Sequence, residues 1–196
     1  KAIQNNPQSV AKDSQIVIAL AGNPNAGKTK LFNALTGLRQ KVANYSGVTV
    51  ERKEGVWNFE NQAARLIDLP GLYSLEATSL DEQIARDVLT GKVTGLPIPD
   101  VIIAVVDATN LERNLYLVTQ ILEYKIPLVV ALTMIDEFER EEHEINTSKF
   151  SKMLGVPVIA VTASKNRGID ELTQKVSELI QIKPEIDFEL ETDSSH

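Results

Sequence analysis

The stretch GNPNAGKT, residues 22–29, restricts what this chain can become more than any other. It fits G-x-x-x-x-G-K-[ST]. It also lies between IVIALA (16–21), a β-branched run that reads as a buried strand, and KTKLFNALTG (28–37), where Leu31, Phe32 and Leu35 recur at helical spacing before a glycine stop. A glycine-rich loop between a buried strand and a helix turns its backbone N–H groups inward, and the positive end of the helix dipole adds to them. The N–H groups of Asn25, Ala26, Gly27, Lys28 and Thr29 are therefore expected to cradle phosphates. Gly22 and Gly27 allow the turn and the close approach, Lys28 reaches the β- and γ-phosphates, and the Thr29 hydroxyl is placed to ligate Mg²⁺. Lys30 is grouped with the nucleotide-binding residues of the loop, although its side chain is expected to face outward on the helix and to matter little.

The rest of the chain supplies the frame for such a loop. VIIAVVDA (101–108), PLVVALTMID (127–136) and VPVIAVTAS (156–164) read as further buried strands, alternating with the amphipathic helices LERNLYLVTQILEYK and GIDELTQKVSELIQI and with EFEREEHEINTSKFSKML, a charged helix and loop. VTVERKEGVWNF (48–59) and QAARLIDL (62–69) read as two strands joined by a turn at Glu60 and Asn61, residues 38–48 as loop, and Asp81 to Leu89 as a helix. This alternation predicts an α/β fold, a three-layer sandwich with a mostly parallel sheet flanked by helices. In such sheets ligands bind at the carboxyl ends of the strands. The domain is expected over 15–182, after a leader or linker at 1–14. The acidic tail at 183–196 is open to being the start of a helical or membrane region. A net charge of -7 argues against broad nucleic-acid binding. The absence of cysteine and the presence of 2 histidines exclude thiolate and His-rich metal sites. No apolar run is long enough to span a bilayer, and a soluble, cytosolic domain is expected.

Further motifs fall at the same strand ends. DLPG (68–71) ends a strand; Asp68 is expected to hold Mg²⁺ through water, and the Gly71 N–H to bind the γ-phosphate. Thr49, in VANYSGVTVE (42–51), is expected to close over Mg²⁺ with its hydroxyl and carbonyl. In TMID (133–136), the Asp136 carboxylate can accept both N1–H and N2–H of guanine, whereas adenine presents an acceptor at N1 and leaves it unpaired. In TASKNRG (162–168), the Ala163 N–H suits guanine O6. Thr133 and Met134 are counted with the base site, as are Thr162 and Ser164, whose polarity would equally suit an ordinary loop. EFEREEHE (137–144) reads as a solvated helix face rather than an iron cluster, and Trp57 as half-buried packing.

In this order the motifs form the set of the small-GTPase superfamily, and the wording GNPNAGKTKLFNALTG, NYSGVTVE and DLPGLYSL resembles the cytosolic G domain of the bacterial FeoB ferrous-iron transporters. That resemblance implies a slow GTPase, a Mg²⁺-dependent nucleotide switch regulating ferrous-iron transport, on the cytoplasmic side of a bacterial inner membrane. GTP and GDP, a membrane domain of the same transporter, small Feo accessory proteins and copies of itself are the implied partners, and nucleic acid is not. Leu72 stands where Ras-like enzymes carry a water-positioning glutamine. Asn25 stands where potassium-activated members of the group coordinate K⁺ through a carbonyl oxygen, and Asn44 is implied as a second contributor to that site. Asn25 would also be accounted for by a left-handed backbone, which asparagine tolerates. The chain departs from the family pattern at Thr133, in place of asparagine, where weaker guanine binding and some use of ATP are expected, and at Lys30 and Ser46. The alternatives are an NTPase of relaxed specificity, a binding switch without turnover, and a free-standing ribosome- or tRNA-linked GTPase.

Overall fold

The computed structural model describes residues 15–141 and 143–181. The expected leader at 1–14 and acidic tail at 183–196 lie outside the described residues. One seven-stranded sheet forms the middle layer, in the order β2-β3-β4-β1-β5-β6-β7. Strands β4 (Gln62–Asp68), β1 (Ile16–Gly22), β5 (Val101–Asp107), β6 (Leu128–Thr133) and β7 (Val158–Ala160) run parallel. Strand β3 (Glu51–Phe59) is antiparallel to β4, and β2 (Gln40–Asn44) is antiparallel to β3. The three-layer, mostly parallel fold expected from the alternation of strands and helices is the one observed.

The central strands bury both faces, which is why they read as continuous apolar runs rather than alternating ones. Ile18 and Leu20 of β1 face the helices α1 (Lys28–Thr36) and α6 (Ile169–Gln181), which bring Leu31, Phe32 and Leu35, and Ile169, Leu172 and Val176, to that side. Val17, Ala19 and Ala21 face the opposite layer. There α2 (Leu80–Leu89) supplies Ile84, Ala85 and Val88, and α3 (Leu111–Leu122) supplies Leu117, Val118 and Ile121. The short helices α4 (Ile135–Arg140) and α5 (Thr147–Leu154) complete this layer. The spacings 169, 172, 176 and 117, 118, 121 place these side chains on one face of each helix, so each helix buries a single stripe.

Three elements differ from expectation. Residues 40–44 form an edge strand rather than loop, and all five are exposed, so no apolar alternation marks it. Strand β7 is only three residues long, and the charged helix and loop expected over residues 137–154 hold parts of two helices, α4 and α5, rather than one. Trp57 is fully buried rather than half-buried, with its ring 4.6 Å from that of Phe59 beneath the α1 layer. Glu137, Glu139, Glu141 and Glu144 are exposed, in keeping with a solvated face. Among the described residues, no helix is long and apolar enough to cross a membrane.

Candidate nucleotide site

Because β1, β4, β5, β6 and β7 are parallel, their carboxyl ends lie along one edge of the sheet. The loops that follow β1, β4, β6 and β7 are GNPNAGKT, DLPG, TMID and TASK. Strand β3 runs the other way, so Thr49, two residues before its start, reaches the same edge. Three adjoining cavities, of about 160, 590 and 390 Å³, follow this edge. The first two share Gly27, Lys30 and Met134, and the last two share Lys28 and Gly71, so they form one continuous groove.

At the centre of the groove the chain turns tightly from β1 into α1. Gly27 has φ 89° and Asn25 has φ 65°, both left-handed. A Cβ on Gly22 would stand 2.8 Å from the carbonyl oxygen of Val105, so this close strand pairing admits only glycine. Asn25, Lys28 and Thr29 line the 590 Å³ cavity beside Gly71. The left-handed backbone alone accounts for an asparagine at position 25, while its exposed side chain remains free to act in the groove. The Lys28 ammonium pairs with Oδ1 of Asp68 and donates to the Leu69 carbonyl at 2.6 Å. Thr49 and Asp68 line the 390 Å³ cavity together with Lys28 and Gly71. Thr29 and Asp68 therefore approach the groove from adjoining cavities. Asn44 does not join them: it ends β2, opposite Glu51, and lines none of these three cavities. The Leu72 side chain is buried in the core, and its N–H donates to the Gly22 carbonyl at 3.0 Å.

The segment between β2 and β3 is held by Tyr45. Its N–H donates to the Val50 carbonyl at 2.9 Å, and its carbonyl accepts from Val48 at 3.2 Å. The ring is buried, and burial pushes the phenol up to about 12. Thr49 is thus carried, exposed, on a short loop with an apolar root.

The 160 Å³ cavity gathers Thr133, Met134, Asp136, Thr162, Ala163 and Ser164, with Gly27 and Lys30 on its phosphate side. Strand β6 ends at Thr133, and Met134, at φ 58°, turns the chain so that Asp136 falls in the first turn of α4. The Thr133 hydroxyl is directed away from the cavity, 2.6 Å from the Ala26 carbonyl and 3.1 Å from the Val106 carbonyl. A hydroxyl has one proton to donate, and here it is used to tie the phosphate loop to the sheet. Oδ2 of Asp136 accepts from the Lys165 ammonium at 2.7 Å. That bond, with the nearby charges of Lys165, Arg167 and Arg140, holds the Asp136 carboxyl below the usual carboxylate range.

Two readings change with these placements. Lys30 is exposed as expected, yet it borders both the base-side and phosphate-side cavities and so has a place in the groove. Leu31, Ile135, Glu137, Arg140 and Val161 also line the base-side cavity and were not singled out as site residues, although Ile135 lies within TMID. Leu31 was legible only as helical core spacing, and Ile135 and Val161 only as members of apolar strand runs. Arg140 and Glu137 belong to a charged run whose solvated face gave no sign of a site.

The family model for ferrous iron transport protein B matches residues 16–176. The Fe(2+) transporter FeoB of Escherichia coli K12 is 50% identical over 163 residues, 81% of this chain and 20% of that protein. The corresponding Salmonella typhimurium protein matches to the same extent. The chain thus spans about a fifth of the length of the curated relatives it matches. Among solved structures, the G domain of the T. maritima FeoB iron transporter is 46% identical with a TM-score of 0.75, covering 84% of this chain and 98% of that one. The cytosolic domain of the same transporter in its GMPPNP form is 46% identical with a TM-score of 0.79, covering 85% of this chain and 64% of that one.

Proposed function

The chain belongs to the ferrous iron transport protein B family, and on that premise we propose that it is a GTP-binding and GTP-hydrolysing switch that regulates passage of ferrous iron through a membrane domain of the same transporter. The observation that carries this is the continuous groove, in which the phosphate-loop, DLPG, TMID and TASK residues meet in the order that phosphates and base require. The cytosolic domain of the T. maritima FeoB iron transporter has been solved in GDP and GMPPNP forms. Membership of this family favours the transporter reading over a ribosome- or tRNA-linked GTPase. The setting is the cytoplasmic face of a bacterial inner membrane, with small Feo accessory proteins and further copies of the chain as partners.

In this reading Lys28 and the N–H groups of Asn25 to Thr29 hold the phosphates, and Thr49 and Gly71 sense the γ-phosphate. Asp136 and Ala163 select guanine. Thr29, Thr49 and Asp68 would hold Mg²⁺, which when bound supplies charge to the phosphate oxygens. The hard oxygen donors around the groove fit such an ion. The chain's own contribution to hydrolysis is positioning and electrostatics, because Leu72 is buried and the motif residues supply no general base at that point. Turnover is therefore slow. The Asn25 side chain, exposed in the phosphate cavity, suits K⁺, which would supply charge between the phosphates; Asn44 has no matching place beside it.

Thr133 bears on base choice. Purine N7 is an acceptor in guanine and adenine alike, so a contact missing there weakens both. Discrimination then falls to Asp136 and Ala163. The test is phosphate release from GTP and ATP, side by side, in K⁺ and in Na⁺ at equal ionic strength, for the native chain and Asn25→Ala. Faster GTP turnover in K⁺ that Asn25→Ala abolishes is expected. Equal rates in the two salts would return Asn25 to its backbone role, and ATP turnover matching GTP would make the protein a general NTPase.

A further inference from the structure

Lys30 and Arg140 line the base-side cavity, but the cation bonded to its carboxylate, Asp136, is Lys165, which stands beside that wall. Lys165 ends the turn of 3-10 helix at Ala163–Lys165 and reaches across to Oδ2 of Asp136 at 2.7 Å. The loop that presents it is tightly built. The Thr162 N–H donates to the Arg167 carbonyl at 3.0 Å, and the Arg167 N–H donates back to the Thr162 carbonyl at 3.1 Å. Gly168, at φ 77°, closes the loop where a Cβ would stand only 2.0 Å from the Ala160 carbonyl oxygen, so only glycine fits. A second pair, Arg167 with Glu139 at 3.4 Å, fastens the same loop to α4 without touching Asp136. Thr162 lines the cavity too, but its hydroxyl is buried without a hydrogen-bond partner among the described residues, so it does not serve the carboxylate. Lys165 does.

We propose that Lys165 is a positioning residue for base recognition: from the loop side it holds Oδ2 of Asp136 and so presents both carboxylate oxygens to the N1–H and N2–H edge of guanine. This rests on the reading of Asp136 as the base-selecting carboxylate. A carboxylate oxygen has lone pairs enough to accept from Lys165 and from a base N–H together. The ion pair is exposed, with 66% of the lysine side chain and 30% of the aspartate accessible, so it contributes little to folding. Its effect is instead on the rotation of the Asp136 carboxylate. One bond from a base can be met by a carboxylate at many angles, but two parallel bonds need one plane.

Inosine diphosphate, which has N1–H and lacks the N2 amine, separates these cases. For Lys165→Met, GDP affinity should fall by about three- to tenfold, the size of one weakened hydrogen bond, while IDP affinity falls by less than about twofold. The GDP:IDP ratio therefore drops, and Lys165→Arg restores it. Arg167→Met, which removes the other loop fastening, should leave that ratio unchanged. Titration calorimetry with GDP and IDP measures all four proteins. Equal losses for GDP and IDP in Lys165→Met, matching Arg167→Met, would reduce Lys165 to a loop fastening. Tighter binding of both nucleotides would make it a competitor of the base, and no change would make it a surface pair; each overturns the proposal. If the native protein itself binds GDP no better than IDP or ADP, the reading of Asp136 falls, and the proposal with it.

Discussion

Thr133 shows how much one residue can change while the site around it persists. Its single hydroxyl proton is turned to the Ala26 and Val106 carbonyls and is not available to a base. Thr133→Val should leave those buried carbonyls short of a donor, at a cost of about 1–3 kcal/mol, and loosen the phosphate loop; urea unfolding with and without GDP would register both. Thr133→Asn, which adds an amide able to reach purine N7, should tighten GDP and ADP by similar factors, because both bases carry that acceptor. A gain confined to GDP would show that residue 133 participates in base choice. The sequence singled out Thr133 within TMID, and the residue stands on the wall of the same cavity as Asp136 and Ala163. Only the direction of its hydroxyl was illegible, since that direction is set by two carbonyls from distant stretches of the chain.

At the scale of elements, α3 carries a stripe that grips the segment after DLPG. Arg113 stacks 3.9 Å from the Tyr73 ring, the Tyr116 hydroxyl donates to Glu76 at 2.6 Å, and the Gln120 side chain accepts from the Leu75 N–H at 2.6 Å. Positions 113, 116 and 120 share a helix face. Gln120→Leu should therefore raise amide exchange at Leu75 and its neighbours by about tenfold or more, while exchange in α6 stays unchanged; equal rates in the two proteins would show that the grip is not in the glutamine. None of these partners could be paired from sequence, because each joins residues about 40 or more apart. What was legible were elements with an internal period. Strand β1, helix α3 and helix α6 each state their own burial. Strand β2 does not: its five residues, QKVAN, are all exposed, and only pairing with β3 makes them a strand. Strand β7 was overestimated because its apolar run continues past the last ladder pair: Val161 still donates to the Leu132 carbonyl at 2.8 Å and is buried in the core beneath α1 and α6.

For the whole molecule, the Glu54 carboxylate ties stability to pH. Burial raises the Glu54 carboxyl, but the hydrogen bond and charge of Arg65, with those of Arg52, outweigh it and leave it below the usual carboxylate range. Asp136 is held down by Lys165 in the same sense, but that pair is exposed and adds little to folding. A carboxyl depressed in the folded state adds stability that is present above its unfolded value and is lost as the pH falls through the folded one. Urea midpoints should accordingly be level from about pH 6 to 8 and fall below about pH 4.5. Arg65→Met should lower the midpoint at pH 7 and flatten the acid decline; an unchanged slope would place the sensitivity elsewhere. The order of layers and the single edge where the loops converge were legible at this scale, because they follow from right-handed crossovers between parallel strands.

The pairing of Lys28 with Asp68 has a consequence for how ligands would enter. Each group is the other's counter-charge, and both side chains are about nine-tenths buried. A triphosphate that drew Lys28 away would strand a carboxylate, and a divalent cation that drew Asp68 away would strand an ammonium; either alone opens the pair at a loss. Arriving together, they complete a double exchange in which no charge is left alone. Metal and nucleotide should therefore show reciprocal cooperativity, each raising the other's affinity by the same factor, and Asp68→Asn should erase most of it by leaving Lys28 unpaired from the start. A dyad that looks like ordinary structural glue would then act as the coincidence detector of the groove.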